Sequence, residues 1–187
     1  LHPGDPIVDT ATMSVDIRRI SPVDGPALRA VRLAALTDTP SAFGSTYDDE
    51  AGRSDAEWSE RALWASAGVE RITFLARQDG RTVGIAGGYR EAIGSTEVHL
   101  VSMWTAPESR RSGLGQQLVH AVIDWATETE ARSVGLWVTR GNAPAQLLYE
   151  SMGFRETGEH QPLPSDPCAD EIRMILHLDR APHHPPR

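Results

Sequence analysis

Arg110-Arg111-Ser112-Gly113-Leu114-Gly115 stands between an apolar run, Val98 to Trp104, that reads as a strand, and an amphipathic pattern from Leu114 to about Ala126 that reads as a helix. A turn of this kind presents consecutive backbone N–H groups at a helix N-terminus. Those donors, with the positive end of the helix dipole, form a site for a phosphate or pyrophosphate. Glycine at 113 and 115 lets the backbone approach such a ligand with no Cβ in the way. Arg110 and Arg111 add charge for further phosphate oxygens. The stretch is not a Walker loop, because no Gly-Lys-Ser/Thr follows. It does not complete the dinucleotide pattern Gly-x-Gly-x-x-Gly either, since Leu118 holds the third glycine position.

On the N-terminal side, Glu97 to Thr105 is a strand, preceded by a hairpin of Arg71–Arg77 and Thr82–Arg90 turned by Asp79-Gly80. Val15 to Ile20 is a short strand. Asp24 is placed to cap a helix from Pro26 to about Leu36, whose apolar face is Leu28, Val31, Ala35 and Leu36. Residues 37–52 are polar and turn-rich, interrupted by Phe43 and Tyr47, and a second helix runs from Ser54 or Asp55 to about Ala65. On the C-terminal side, Ser133 to Thr139 is an apolar strand. Asn142 caps a helix through about Ser151, and Gly153 stops it. Phe154–Gln161 and Glu171–Leu178 are the last strands. Antiparallel strands followed by α/β crossovers predict an α/β (α+β) fold with a mixed sheet and helices on both faces.

The chain has 187 residues, 40% of them hydrophobic, which suits one domain over residues 14–179. Residues 1–13 and 180–187 read as loose, disordered tails, His183 and His184 included. A net charge of −8 argues against nucleic acid as a partner and fits a cationic substrate. The single cysteine, Cys168, excludes an internal disulfide and a cysteine-rich zinc site, and no metal is expected. No apolar run is long enough to cross a bilayer and no signal segment is visible, so the expected location is the cytoplasm.

Arg-x-x-Gly-x-Gly after a strand resembles the acetyl-CoA pyrophosphate loop of the GNAT superfamily of N-acetyltransferases. Two further motifs carry the resemblance, which covers about Val15 to Leu178. One is the strand Leu100-Val101-Ser102-Met103-Trp104-Thr105-Ala106-Pro107. The other is Asn142-x-x-Ala145-x-x-x-Tyr149-x-x-x-Gly153-Phe154. The resemblance implies an acyl-CoA N-acyltransferase fold of about seven strands, splayed between the fourth and fifth by a bulge. It implies acetyl-CoA as cosubstrate, with Met103, Trp104 and Thr105 along the pantetheine arm. Arg110, Arg111, Ser112, Gly113, Leu114, Gly115 and Gln116 would hold the pyrophosphate, and Asn142 and Ala145 would contact the cofactor from the helix that borders its thiol end. Asn142 reads equally as a plain helix cap.

The chemistry of amine acetylation demands a base, because an ammonium cannot attack a thioester, and a donor for the departing thiolate. The resemblance gives Tyr149 the donor role; on residue type alone, a tyrosine on an apolar helix face is a packing residue. His99 and Glu97 share a strand face and are the base candidates. His99 stands where several family members place a glutamate, and it reads also as a histidine bonded within the sheet. Proton loss through water is the third route. Phe43, Tyr47, Glu50 and Glu171 are acceptor-site candidates, with Asp48, Asp49 and Trp58 near them; rings and carboxylates suit a cationic amine. An acidic solvated loop anchored by two rings is the other reading. Cys168, beside Pro167 with no matched histidine, reads as inert. The expected reaction is direct acetyl transfer to a small-molecule primary amine in a ternary complex. The alternatives are a protein lysine or N-terminal acetyltransferase and a non-catalytic acyl-CoA sensor. A homodimer is the assembly that the resemblance allows.

Overall fold

The computed structural model describes residues 15–178; the expected tails lie outside the described residues. Its strands are β1 (Asp16–Arg19), β2 (Arg71–Gln78), β3 (Arg81–Tyr89), β4 (Glu97–Thr105), β5 (Ser133–Thr139), β6 (Arg155–Leu163) and β7 (Asp166–His177). Helices α1 (Gly25–Asp38), α2 (Tyr47–Ala51) and α3 (Asp55–Ala67) lie between β1 and β2. Helix α4 (Leu114–Glu128) joins β4 to β5, and α5 (Ala143–Ser151) joins β5 to β6. All strands form one seven-stranded sheet in the order β1-β2-β3-β4-β5-β7-β6. Only β4 and β5 run parallel, as a helical crossover requires.

Local chemistry accounts for these elements. Asp79 and Gly80 both take positive φ, 49° and 75°, the two-residue turn whose twist matches flanking strands. Ser54 and Glu57 close a reciprocal capping box at the start of α3. Helix α4 buries Leu114, Leu118, Val119, Val122, Trp125 and Ala126 on one face of the sheet. It lies close because β3 offers glycine there: a Cβ on Gly84 would come within 2.8 Å of Leu118 Cδ1. Helices α1 and α3 cover the opposite face, where Trp58 is 1% exposed.

The 37–52 connection holds the short α2, where a turn-rich segment was expected; Thr46 caps it by accepting from the Asp49 amide. Strand β7 begins at Asp166, five residues ahead of its expected start, because Pro162 and Leu163 of β6 already pair with Asp170 and Asp166. Asp24 does precede α1, yet its side chain makes no capping bond. Its carboxylate instead accepts from the Ser21 amide and hydroxyl at 2.7 Å each, and from Arg18 and Arg77 at 2.9 Å each.

Burial pushes the Asp24 pKa up, but the Arg18 and Ser21 hydrogen bonds outweigh it and hold the group down, from 3.8 to about 2. A depressed carboxylate stabilises the fold fully above its unfolded pKa and loses that contribution as pH falls through its folded one. The protein should therefore lose about 2 kcal/mol of unfolding free energy from this group between about pH 4 and pH 2. Asp24→Asn should be less stable at neutral pH and lack that part of the acid slope, as read by urea titrations across the range. Parallel acid limbs in the two proteins would count against it.

Candidate functional site

Strands β4 and β5 pair only at Glu97–Ser133, Val98–Val134 and His99–Gly135. Beyond Gly135, β5 continues against β7 as far as Thr139, and β4 continues against β3 as far as Thr105. The two central strands diverge, and from Leu100 onward β4 offers its backbone on that side to whatever enters the gap. A bulge helps to turn it: Ile85 pairs with Trp104 and Gly87 with Val101, so Ser102 and Met103 stand opposite Ala86 alone. Ser102 takes φ 55° there.

The chain leaves β4 through Pro107–Ser109 and enters α4 at Leu114. Arg111 (φ 61°) and Gly113 (φ 83°) are both left-handed. Among the described residues, none of the six amides from Arg111 to Gln116 donates to a protein acceptor; the first that does is Gln117, to Gly113 O at 3.1 Å. Six open donors at the positive end of a helix of 15 residues fit an anion. Gly115 faces Leu148 of α5 and Met103 of β4, at 3.3 and 3.5 Å from where a Cβ would be. The cradle thus fits the diphosphate of coenzyme A at the mouth of the gap.

The other cofactor candidates divide. Arg111, Ser112, Gly113 and Gln116 are exposed at the turn. Leu114 is buried in the core, so its amide alone is available. Trp104 is buried, and its indole donates to Asp38 at the end of α1 at 2.9 Å. Arg110 also turns to Asp38 as an ion pair, and its Nε donates to Thr105 O at 3.2 Å. Both side chains therefore point toward α1. Asn142 accepts from the Ala145 amide at 3.4 Å, the bond of an N-cap.

Tyr149 is 7% exposed and meets Phe154 edge to face at 5.7 Å between ring centroids. Burial pushes its phenol far above its ordinary range, so it stays protonated at neutral pH.

On the α1/α3 face, His99 stacks on Tyr89 with ring centroids 5.0 Å apart. Its Nε2 is 3.6 Å from Glu91 and its Nδ1 is 3.8 Å from Glu97. Glu97 accepts from Arg173 of β7 at 2.7 Å. Glu171, 7% exposed, accepts from Gln161 of β6 at 3.0 Å. Phe43 is buried, and Tyr47 is 44% exposed. Glu50 is not open to an acceptor: Arg61 reaches it at 2.5 Å, Arg53 at 2.9 Å and Arg32 at 3.8 Å. Burial pushes its pKa up, and the three guanidinium groups outweigh that and hold it low. The connection between α1 and α2 is clasped to the far strands. Ser165 donates to Phe43 O at 2.5 Å, and Thr139 donates to Ser41 O at 2.7 Å.

Tyr89, Arg173 and the arginines around Glu50 are absent from the sequence reading. Tyr89 was reachable: the Asp79-Gly80 turn sets a register that brings Tyr89 opposite Arg71 on one side, and β4 brings it opposite His99 on the other. Among the described residues no helix is long and apolar enough to cross a membrane.

Residues 33–154 match the model of the acetyltransferase (GNAT) family. The chain is similar to the ribosomal protein bS18-alanine N-acetyltransferase of Escherichia coli, 33% identical over 123 residues, 64% of this chain and 76% of that protein. It is 32% identical over 142 residues to the mycothiol acetyltransferase of Tsukamurella paurometabola, 74% of this chain but 47% of that longer protein. In fold it resembles a ribosomal-protein-alanine N-acetyltransferase from Brucella melitensis (TM-score 0.69, 26% identity, 87% of this chain and 99% of that one). It also resembles an N-acetyltransferase from Thermoplasma acidophilum solved with coenzyme A (TM-score 0.71, 16% identity, 89% of this chain and 100% of that one).

The open amides make the turn a sharp target. Gly113→Pro cannot reach a positive φ and loses an N–H, and Gly115→Trp fills the space toward Met103 and Leu148. Each should abolish coenzyme A binding in calorimetry while the far-ultraviolet spectrum stays native. Unchanged affinity would remove the turn from the cofactor site.

Proposed function

The chain belongs to the acetyltransferase (GNAT) family and is an N-acetyltransferase that draws on acetyl-CoA, and from that premise we propose direct transfer to the primary amine of a small molecule, with both substrates bound together. The observation that carries this reading is the pair of openings on either side of one split in the sheet. The unsatisfied amides of residues 111–116 lie at the start of α4 on one face. His99 and Tyr89 lie on the other, beside the last β4–β5 pair. An amine arriving over His99 meets the gap from the side opposite α4, so no covalent enzyme intermediate is needed.

Acetyl-CoA supplies the acetyl thioester. The chain's own residues do the rest. His99, directly or through a water, takes the proton that the ammonium must lose. Backbone N–H groups on the unpaired edge of β4 are placed to receive charge as it develops on the acetyl oxygen. The nitrogen–carbon bond forms, the carbon–sulfur bond breaks, and the Tyr149 hydroxyl donates to the departing sulfur. A phenol that burial keeps protonated suits a donor better than a base. Glu97, held by Arg173 at 2.7 Å, serves to position the His99 strand. Asn142 serves as the cap of α5, and Ala145 and Met103 line the cofactor side. Cys168 is exposed and has no part in the transfer.

The clasp of Ser165 and Thr139 onto the α1–α2 connection supports a compact acceptor, because it bridges the front that an extended peptide would cross. Acetylation of a protein N-terminus is the second reading, favoured by the 33% identity to the bS18-alanine enzyme.

A thiol-release assay over a panel of small amines and N-terminal peptides separates the two; turnover of peptides alone would reject the small-amine reading. With an active amine in hand, Tyr149→Phe should lower kcat by about 100-fold and leave coenzyme A affinity nearly unchanged. Equal turnover would strip Tyr149 of its role as donor. His99→Ala should flatten the acid limb of the pH–rate profile, whereas a limb that persists assigns the proton to water or Glu97.

A further inference from the structure

A cavity of about 230 Å³ lies beneath the β4 bulge on the α1/α3 face. Its charged lining is Arg32 of α1, Arg61 of α3 and Arg71 of β2, with no carboxylate among the described residues. This is unexpected in a chain with net charge −8. Glu50 lies behind the lining and is shared by Arg32, Arg53 and Arg61, while Glu57 reaches only Arg53. Arg71 has no ion-pair partner among the described residues; it lies 5.9 Å from the Tyr89 ring. Four arginines thus face Glu50 and Glu57, with the exposed Glu91 beyond Tyr89 at 3.6 Å from His99, and the excess positive charge sits at the cavity.

Buried donors there also lack acceptors. Among the described residues, the sealed Nε and Nη1 of Arg32, 9% exposed, find no hydrogen-bond partner, and neither does Nε1 of Trp58, 1% exposed. Buried polar groups are nearly always satisfied, and those that are not mark a missing partner. These three unsatisfied donors, two of them on Arg32 itself, with the guanidinium groups of Arg61 and Arg71 beside them, specify an acceptor-rich anion. The cavity reaches the reaction centre through two of its walls. Tyr89 stacks on His99, and Val101 and Ser102 belong to the bulged strand.

Resting on the small-amine reading above, we propose that the acceptor carries a carboxylate or phosphate a few bonds from its amine, and that Arg32, Arg61 and Arg71 hold this anion beneath β4. The amine then projects past Tyr89 to His99. Binding energy from the anion orients the nitrogen without touching the reacting atoms.

The test is thiol release with matched amines: phenylalanine against phenethylamine, glutamate against 4-aminobutyrate, phosphoethanolamine against ethanolamine. The anionic or more anionic member of at least one pair should have a kcat/KM at least about tenfold higher, and the pair that shows it distinguishes carboxylate from phosphate. For that acceptor, Arg71→Gln and Arg61→Gln should each raise KM by about 10- to 100-fold. They should leave kcat and coenzyme A affinity within about twofold, and Arg71→Lys should recover part of the loss. Equal rates within every pair, or variants that weaken both members alike, would overturn the anion site and leave the small-amine reading standing. If no small amine is acetylated while coenzyme A still binds, both fall together.

Discussion

Two-thirds of β4, Leu100 to Thr105, is denied its neighbour on the β5 side. From Leu100 onward, the edge that would bond to β5 has no strand beside it among the described residues, while β5 is paired along its whole length with β7. Backbone donors and acceptors do not remain unsatisfied without consequence; they take up water or a ligand. The gap is held open from both sides. The bulge at Ser102 and Met103 shifts the register of β4 against β3, and β7 holds β5 along its whole length. The groups proposed to act lie around that opening: open amides at the start of α4 on one face, a stacked histidine and tyrosine on the other.

Charge is distributed around the gap with some economy. On the α4 face, main-chain dipoles and Arg111 supply the positive potential, while Arg110 is held by Asp38 at the end of α1. On the α1/α3 face the potential comes from side chains, with Arg32 nearly sealed in the interior. Burial lowers its pKa, and the Glu50 carboxylate partly restores it against the opposing charge of Arg61. A buried guanidinium beside a shared carboxylate contributes little to stability unless something else completes it.

Much of the fold was legible because its signals are local. Strands β4 and β5 were read at their observed bounds from short apolar runs flanked by turn residues. Helix α4 carried its apolar period, and the turn with its open amides lay within a few consecutive residues. Helix α2 was missed because five largely polar residues have no period to show. The opening of β7 was missed because Asp166-Pro167-Cys168-Ala169-Asp170 looks like loop and becomes strand only against β6. The segment expected to meet the acceptor was harder for a related reason. Residues 47–50 look like an acidic loop in one dimension, but arginines 32, 53 and 61, from three separate segments, converge on Glu50 in space. No window of sequence contains them together.

The outer margin of the sheet has a consequence for assembly. Strand β6 forms one border, and its register against β7 breaks between Glu156 and His160, where Gly158 takes φ 86°. Arg155, Glu156, Glu159 and His160 stand exposed along it, and the opposite border, β1, is four residues long. A kinked, charged rim and a stub give an incoming strand little to template on. Edge-to-edge growth of the sheet into a continuous ribbon is thereby discouraged along both of these borders.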